Sequence, residues 1–166
     1  MPALEAGVQA PDIDLQYLDG RKFSLKDVRK QGPVVAAFFK VSCPVCQLAF
    51  PYLERIFKAY EKSGKFTFVG VSEDDPADTR SFNREFGVTF PVLLDPEDNY
   101  PASNAYGLTN VPSVFLISAE GEIESSFVGW SKRDLEQLNR KLAKVSGMAP
   151  AQIFHPGETV PEFKPG

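Results

Sequence analysis

Both cysteines of this 166-residue chain fall in one tetrapeptide, Cys43-Pro44-Val45-Cys46, between an apolar strand-like run and the start of an amphipathic helix. Two thiols spaced C-x-x-C at a helix N-terminus can close a disulfide within one turn. The first thiol also meets main-chain N–H groups that lack helical partners and the positive end of the helix dipole, and both favour its thiolate. With Cys43 as the N-cap, its sulfur can accept from the Cys46 N–H, and Pro44 at the first helical position forfeits no hydrogen bond. The implied chemistry is thiol–disulfide exchange. A C-x-x-C pair is also half of a zinc site, but a structural zinc needs about four protein ligands. The one histidine, His155, stands in a proline-rich stretch near the end of the sequence. The expectation is redox chemistry carried by the two sulfurs, with no metal and no other cofactor.

Those sulfurs need elements to hold them. Val34 to Phe39 is an unalternating apolar run, suited to a central strand covered on both faces. From Cys43 to about Lys62 the pattern is helical. Val45, Ala49, Tyr52, Leu53, Ile56, Phe57 and Tyr60 fall on one stripe, with Glu54, Arg55, Lys58 and Glu61 away from it. Pro51 lies inside that helix, where a missing hydrogen bond costs ~3 kcal/mol in isolation and should bend it. Upstream, residues 7–24 alternate apolar and polar around Asp19-Gly20, as a β-hairpin would, and Ser24 could cap a short helix to about Lys30. Downstream come a strand from Phe66 to Ser72, a helix opened by Asp75-Pro76 that ends near Phe86, and a short strand, Val92 to Leu94. A brief helix over 99–106 precedes two strands, 114–117 and 123–128, that pair across a turn. Ser131, with Asp134 three residues on, caps a last helix to about Val145, and Trp130 should pack against it. From Gly147 onward four prolines argue for an irregular tail, so the chain divides into a domain over 1–146 and a tail over 147–166. The order of elements predicts an α/β fold, a central mixed sheet flanked by helices with an N-terminal hairpin extension. Such sheets place their sites at the C-terminal ends of parallel strands, where the run 34–39 delivers Cys43.

Composition narrows the partners. Twenty-two acidic and eighteen basic residues leave a net charge of −4, which argues against a nucleic-acid surface. No apolar run approaches a membrane span. The first residues lack the basic and apolar regions of a signal peptide, so the expected compartment is the cytoplasm, or the periplasm if a leader has been removed.

Several stretches in order resemble one known family. They are Ala10-Pro11-Asp12-Ile13-Asp14-Leu15 with Asp19-Gly20, Phe38-Phe39 leading to the cysteines, and Phe50-Pro51. Phe90-Pro91-Val92-Leu93-Leu94-Asp95 follows, then Tyr106-Gly107-Leu108 and Val111-Pro112-Ser113 running into Val114 to Ile117. Over about residues 7–145 the chain resembles the thioredoxin-like superfamily of thiol-disulfide oxidoreductases and peroxiredoxins, and is most similar to its TlpA-like members. The resemblance implies a thioredoxin-like fold, with Pro51 at the family's helix-bending position. It also implies that Pro112 is the family's cis-proline and that the Val111 main chain faces an incoming peptide. An ordinary trans proline opening a strand is the other reading of Val111-Pro112, given a weak intrinsic preference of ~0.5–1 kcal/mol.

The chain also departs from the pattern. Ser42 stands where the family has a tryptophan before the first cysteine. Ala37 and Ala49 occupy the two positions at which relatives carry an acid that takes the proton of the second cysteine. Lys40 and Glu73 are the candidate replacements, because each follows one of two strands expected to be neighbours. Lys40 could stabilise a Cys43 thiolate and Glu73 could accept a proton; equally, both could be solvated charges at strand ends. A peroxiredoxin would present P-x-x-x-T-x-x-C. The Pro and Thr positions hold Ala36 and Lys40 if Cys43 is its cysteine, or Phe39 and Cys43 if Cys46 is. The expected function is therefore exchange of a Cys43–Cys46 dithiol with protein thiols or disulfides, coupled to an electron donor or acceptor. Reduction of hydroperoxides is the alternative. A binding module with a structural disulfide is disfavoured by the reactive placement of the pair.

Overall fold

A computed structural model describes residues 3–166. Its centre is a seven-stranded mixed sheet in the order β2-β1-β5-β4-β3-β6-β7. Strands β3 (Val34–Phe39), β4 (Thr67–Ser72) and β5 (Val92–Leu94) are parallel. β6 (Ser113–Ile117) and β7 (Ile123–Val128) continue antiparallel beside β3, and the hairpin of β1 (Asp14–Tyr17) and β2 (Lys22–Ser24) joins antiparallel to β5.

The apolar run 34–39 is unalternating because both faces of β3 are covered. Val35, Ala37 and Phe39 pack beneath α2 (Pro44–Tyr60), α3 (Pro76–Phe86) and α5 (Lys132–Ser146). Val34, Ala36 and Phe38 face the other layer, with Leu25 of α1 (Leu25–Val28), Ala102 of α4 (Pro101–Ala105) and Tyr106. On the first side, Phe39, Phe50, Phe82 and Phe90 meet at ring-centroid distances of 4.3–5.7 Å, a range in which aromatic pairs attract beyond simple burial. This layer fixes α2, and with it the cysteines, against the sheet.

Three expectations need correction. Glu54, expected on the solvent side of α2, is buried; its carboxyl oxygens accept from the Thr89 and Phe90 N–H groups at 2.8 and 3.2 Å and from the Thr89 hydroxyl. Helix periodicity placed it outside the apolar stripe, but the loop before β5 closes over that side of the helix. Second, residues 7–12 do not extend the hairpin. Gln9 bridges Glu122, and the Gly7 and Ala10 N–H groups donate to Ile123 and Gly121, so this segment follows the β6–β7 turn. Third, the helix expected over 99–106 begins only at Pro101, because Tyr100 takes a left-handed φ of 43°. Trp130, in β8 (Trp130–Ser131), shares the core cluster of Leu135, Leu138 and Leu142 of α5, and also packs on Tyr52 of α2 and on Phe154.

The stretch after α5 is mostly irregular, yet it is firmly docked. Ile153 is buried, and the Asn139 amide and Tyr60 hydroxyl bind the Ala151 main chain. β9 (Phe163–Lys164) pairs antiparallel with β8. Among the described residues no helix is long and apolar enough to cross a membrane.

Candidate functional site

Strand β3 ends at Phe39, and four residues later Cys43 takes an extended conformation and caps α2. Its sulfur accepts from the Cys46 N–H at 3.3 Å, and Pro44 occupies the first helical position. The spacing builds this directly: a side chain at the N-cap reaches the N–H three residues on. The Gln47 amide ties the preceding loop to the helix by donating to the Val41 carbonyl, and Asp74 accepts from the Val41 N–H. Both cysteines are free thiols, Cys43 half-buried and Cys46 buried behind it. Burial pushes the Cys46 thiol well above its ordinary range. The neighbouring Cys43 and the charge of Glu73 push the same way, against a main-chain hydrogen bond from Lys40.

Four of the six candidate residues share one cavity of about 380 Å³: Lys40, Cys43, Glu73 and Val111. Because β3 and β4 are parallel neighbours in register, Lys40 and Glu73 leave the sheet side by side. The Glu73 N–H donates to the Phe39 carbonyl, and Lys40 Nζ lies 3.8 Å from the Glu73 carboxylate. That carboxylate is only 10 % exposed, whereas the lysine is half in solvent. Glu73 is thus turned inward beside the thiols rather than solvated at a strand end. The remaining two candidates lie beneath the cavity surface. Cys46 is buried, and Pro112 is buried at the head of β6, joined to Val111 by a cis bond.

The Val111 carbonyl faces the thiol, and the Cys43 S–H donates to it at 3.4 Å. Tyr100, Ser103, Asn104, Leu108, Thr109, Asn110 and Gly166 complete the rim. Sequence reading did not find these, and only Asn110 carried a signal, through its place beside Val111-Pro112. A larger cavity of about 650 Å³ opens between β1 and the start of α3, lined by Asp14, Asp74 and Glu97 among others. It contains neither cysteine.

A half-buried thiol that reaches a cavity, backed by a buried one and flanked by an inward carboxylate and the Val111 carbonyl, can pass a disulfide between itself and another molecule. Comparison with known proteins agrees. The model of the AhpC/TSA family matches residues 6–126. The thiol-disulfide oxidoreductase ResA of Geobacillus thermodenitrificans is 33% identical over 137 residues, covering 81% of this chain and 76% of the relative. Among solved structures, the thioredoxin domain of a thiol-disulfide oxidoreductase from Bacteroides vulgatus superposes with a TM-score of 0.73 at 28% identity, over 84% of this chain and 98% of that one. A structure described as the thiol:disulfide interchange protein DsbE of Chlorobium tepidum gives 0.74 at 27%, over 87% and 100%.

Proposed function

The chain belongs to the AhpC/TSA family and is a thiol-disulfide oxidoreductase of thioredoxin-like fold, and from that premise we propose that Cys43 and Cys46 are its exchanging pair. In the reducing direction, the Cys43 thiolate attacks one sulfur of a target protein disulfide, and the other target sulfur leaves as a thiolate. Cys46 then loses its proton and attacks Cys43 Sγ. The target is released with two thiols, and its two-electron reduction is matched by formation of the Cys43–Cys46 disulfide. The reverse sequence oxidises a target dithiol. The observation that carries this reading is the helix cap itself: one thiol reaches the cavity while its partner waits behind it on the same turn.

Val111 and Pro112 shape the edge along which a target chain lies beside Cys43. Lys40 supplies positive charge at the mouth of the site, and Glu73 is the proton acceptor for Cys46, directly or through water. Glu73 is needed because the Cys46 thiol holds its proton well above neutral pH. In E73Q the attack of Cys46 on a preformed mixed disulfide should slow about 100-fold at pH 7, the ordinary contribution of a positioned base. With only solvent to take the proton, its rate should then rise about tenfold per pH unit between 6 and 8, where the parent is nearly flat. An unchanged pH profile would remove Glu73 from the mechanism.

The reading as a whole is tested by titrating the purified protein against glutathione and, separately, by offering it hydrogen peroxide. A single two-electron couple with loss of both thiols, and no peroxide consumption above that of an unstructured dithiol, is expected. Rapid peroxide turnover would transfer the assignment to a thiol peroxidase with antioxidant activity.

A further inference from the structure

The stretch after α5 returns along the surface to the reactive cysteine. Glu158 is clamped by Arg55 of α2 through two hydrogen bonds of 2.8 Å, and by the Tyr52 hydroxyl at 3.2 Å. The His155 N–H donates to the same carboxylate, and the Arg55 guanidinium lies over the Tyr52 ring. Beyond this latch, the Trp130 indole N–H donates to Pro161 and the Lys132 N–H to Glu162, before β9 pairs with β8. Two glycines allow the closest approaches. A β-carbon on Gly129, whose φ is +79°, would lie 2.4 Å from the Lys164 carbonyl oxygen. One on Gly166 would lie 2.6 Å from the Val111 carbonyl oxygen, the atom that also receives the Cys43 thiol. The Asn110 amide donates to Gly166, and Gly166 forms part of the cavity wall around Cys43.

We propose that residues 158–166 are a strap, latched at Glu158, that closes one side of the Cys43 groove and selects which disulfides reach it. The inference rests on Cys43 being the exchanging nucleophile. With the strap down, the Val111 edge is covered by Gly166, and the remaining cavity is at the small end of ligand sites. A low-molecular-weight disulfide fits there. A disulfide embedded in a protein, with chain running on both sides of its sulfur, needs the strap lifted.

The strap is built to lift. Its far part is held by a two-residue ladder, by single hydrogen bonds from the Trp130 indole to Pro161 and from the Asn110 amide to Gly166, and by the Lys132–Glu162 ion pair at 3.9 Å, each a modest hold by itself. Phe163 is 62 % exposed and so adds no apolar anchor. The specific hold is Glu158, whose carboxyl Arg55 keeps well below the usual carboxylate range, so the latch stays charged throughout the neutral and mildly acidic range.

The test uses the full-length, pre-reduced protein in single turnovers against insulin and against bis(2-hydroxyethyl) disulfide, acid-quenched and counted by thiol alkylation. E158R should raise the insulin rate about tenfold, as expected if the competent form is about a tenth of the parent, and change the small-disulfide rate less than about twofold. The charge-swapped pair R55E and E158R together should return the insulin rate toward the parent. E158Q, which keeps the volume and loses the charge, supplies the same comparison should E158R fail to fold. Equal changes with both disulfides, or no change with either, would overturn the strap while leaving exchange at Cys43 intact. Failure of the parent to react with either disulfide would overturn the exchange reading itself.

Discussion

Replacing Cys43 by serine should lower the rate of disulfide exchange by about 10³-fold or more, because the hydroxyl left behind is neither ionised at neutral pH nor a comparable nucleophile. Cys46→Ser should behave differently. Cys43 still attacks, but nothing follows to break the mixed disulfide, so the target remains covalently attached. Mass spectrometry of the non-reduced variant after mixing with insulin reads this as an adduct of the summed mass, released by dithiothreitol. The asymmetry comes from position. Cys43 lines the cavity and holds the Val111 carbonyl, whereas Cys46 is buried and can meet only Cys43. An adduct in Cys43→Ser and none in Cys46→Ser would reverse the assignment of the two sulfurs. Steady peroxide turnover by Cys46→Ser with added thiol would point instead to peroxidase chemistry.

The second large effect concerns a residue with no part in the chemistry. Glu54→Ala should destabilise the protein by about 3 kcal/mol, read as a lower denaturation midpoint with an unchanged slope. The alanine removes three acceptor contacts at once, and leaves the buried Phe90 N–H and the partly buried Thr89 N–H without their partner. Phe90 belongs to the aromatic layer beneath α2, so the loss is felt where the helix carrying the cysteines sits on the sheet. Glu54→Gln should cost less, since an amide oxygen still accepts from one of these groups. A loss below about 1 kcal/mol for alanine, the worth of a single ordinary hydrogen bond, would mean that the loop finds other partners.

Glu54 also shows where sequence reasoning reaches its limit. Helical period identifies which side of α2 meets the sheet, and it does so correctly for Ala49, Leu53 and Ile56. It says nothing of a loop arriving from thirty-odd residues away to cover a flank. The short helix α4 failed for a related reason. Its start is set by the left-handed turn at Tyr100, and propensity disfavours that conformation for tyrosine. Strand β3 and helix α3 were legible to the residue because their signals are local: an apolar run between breakers, and Asp75 capping a helix that begins with proline.

The candidate site divides in the same way. The sulfur–N–H cap at Cys43 spans three residues and follows from their order, as does the descent of β3 to that cap. The adjacency of Lys40 and Glu73 was inferable once two strands were assumed neighbours, but the inward burial of Glu73 depends on what surrounds it. No local signal could reveal that the last residues lie against Val111, because the latch joins Glu158 to Arg55, 103 positions apart. Short-range chemistry therefore determined the proposed nucleophile's cap and the strand that delivers it. Long-range packing alone decided which carboxylates are buried and what covers the groove, since those outcomes depend on segments that meet only after the chain has closed on itself.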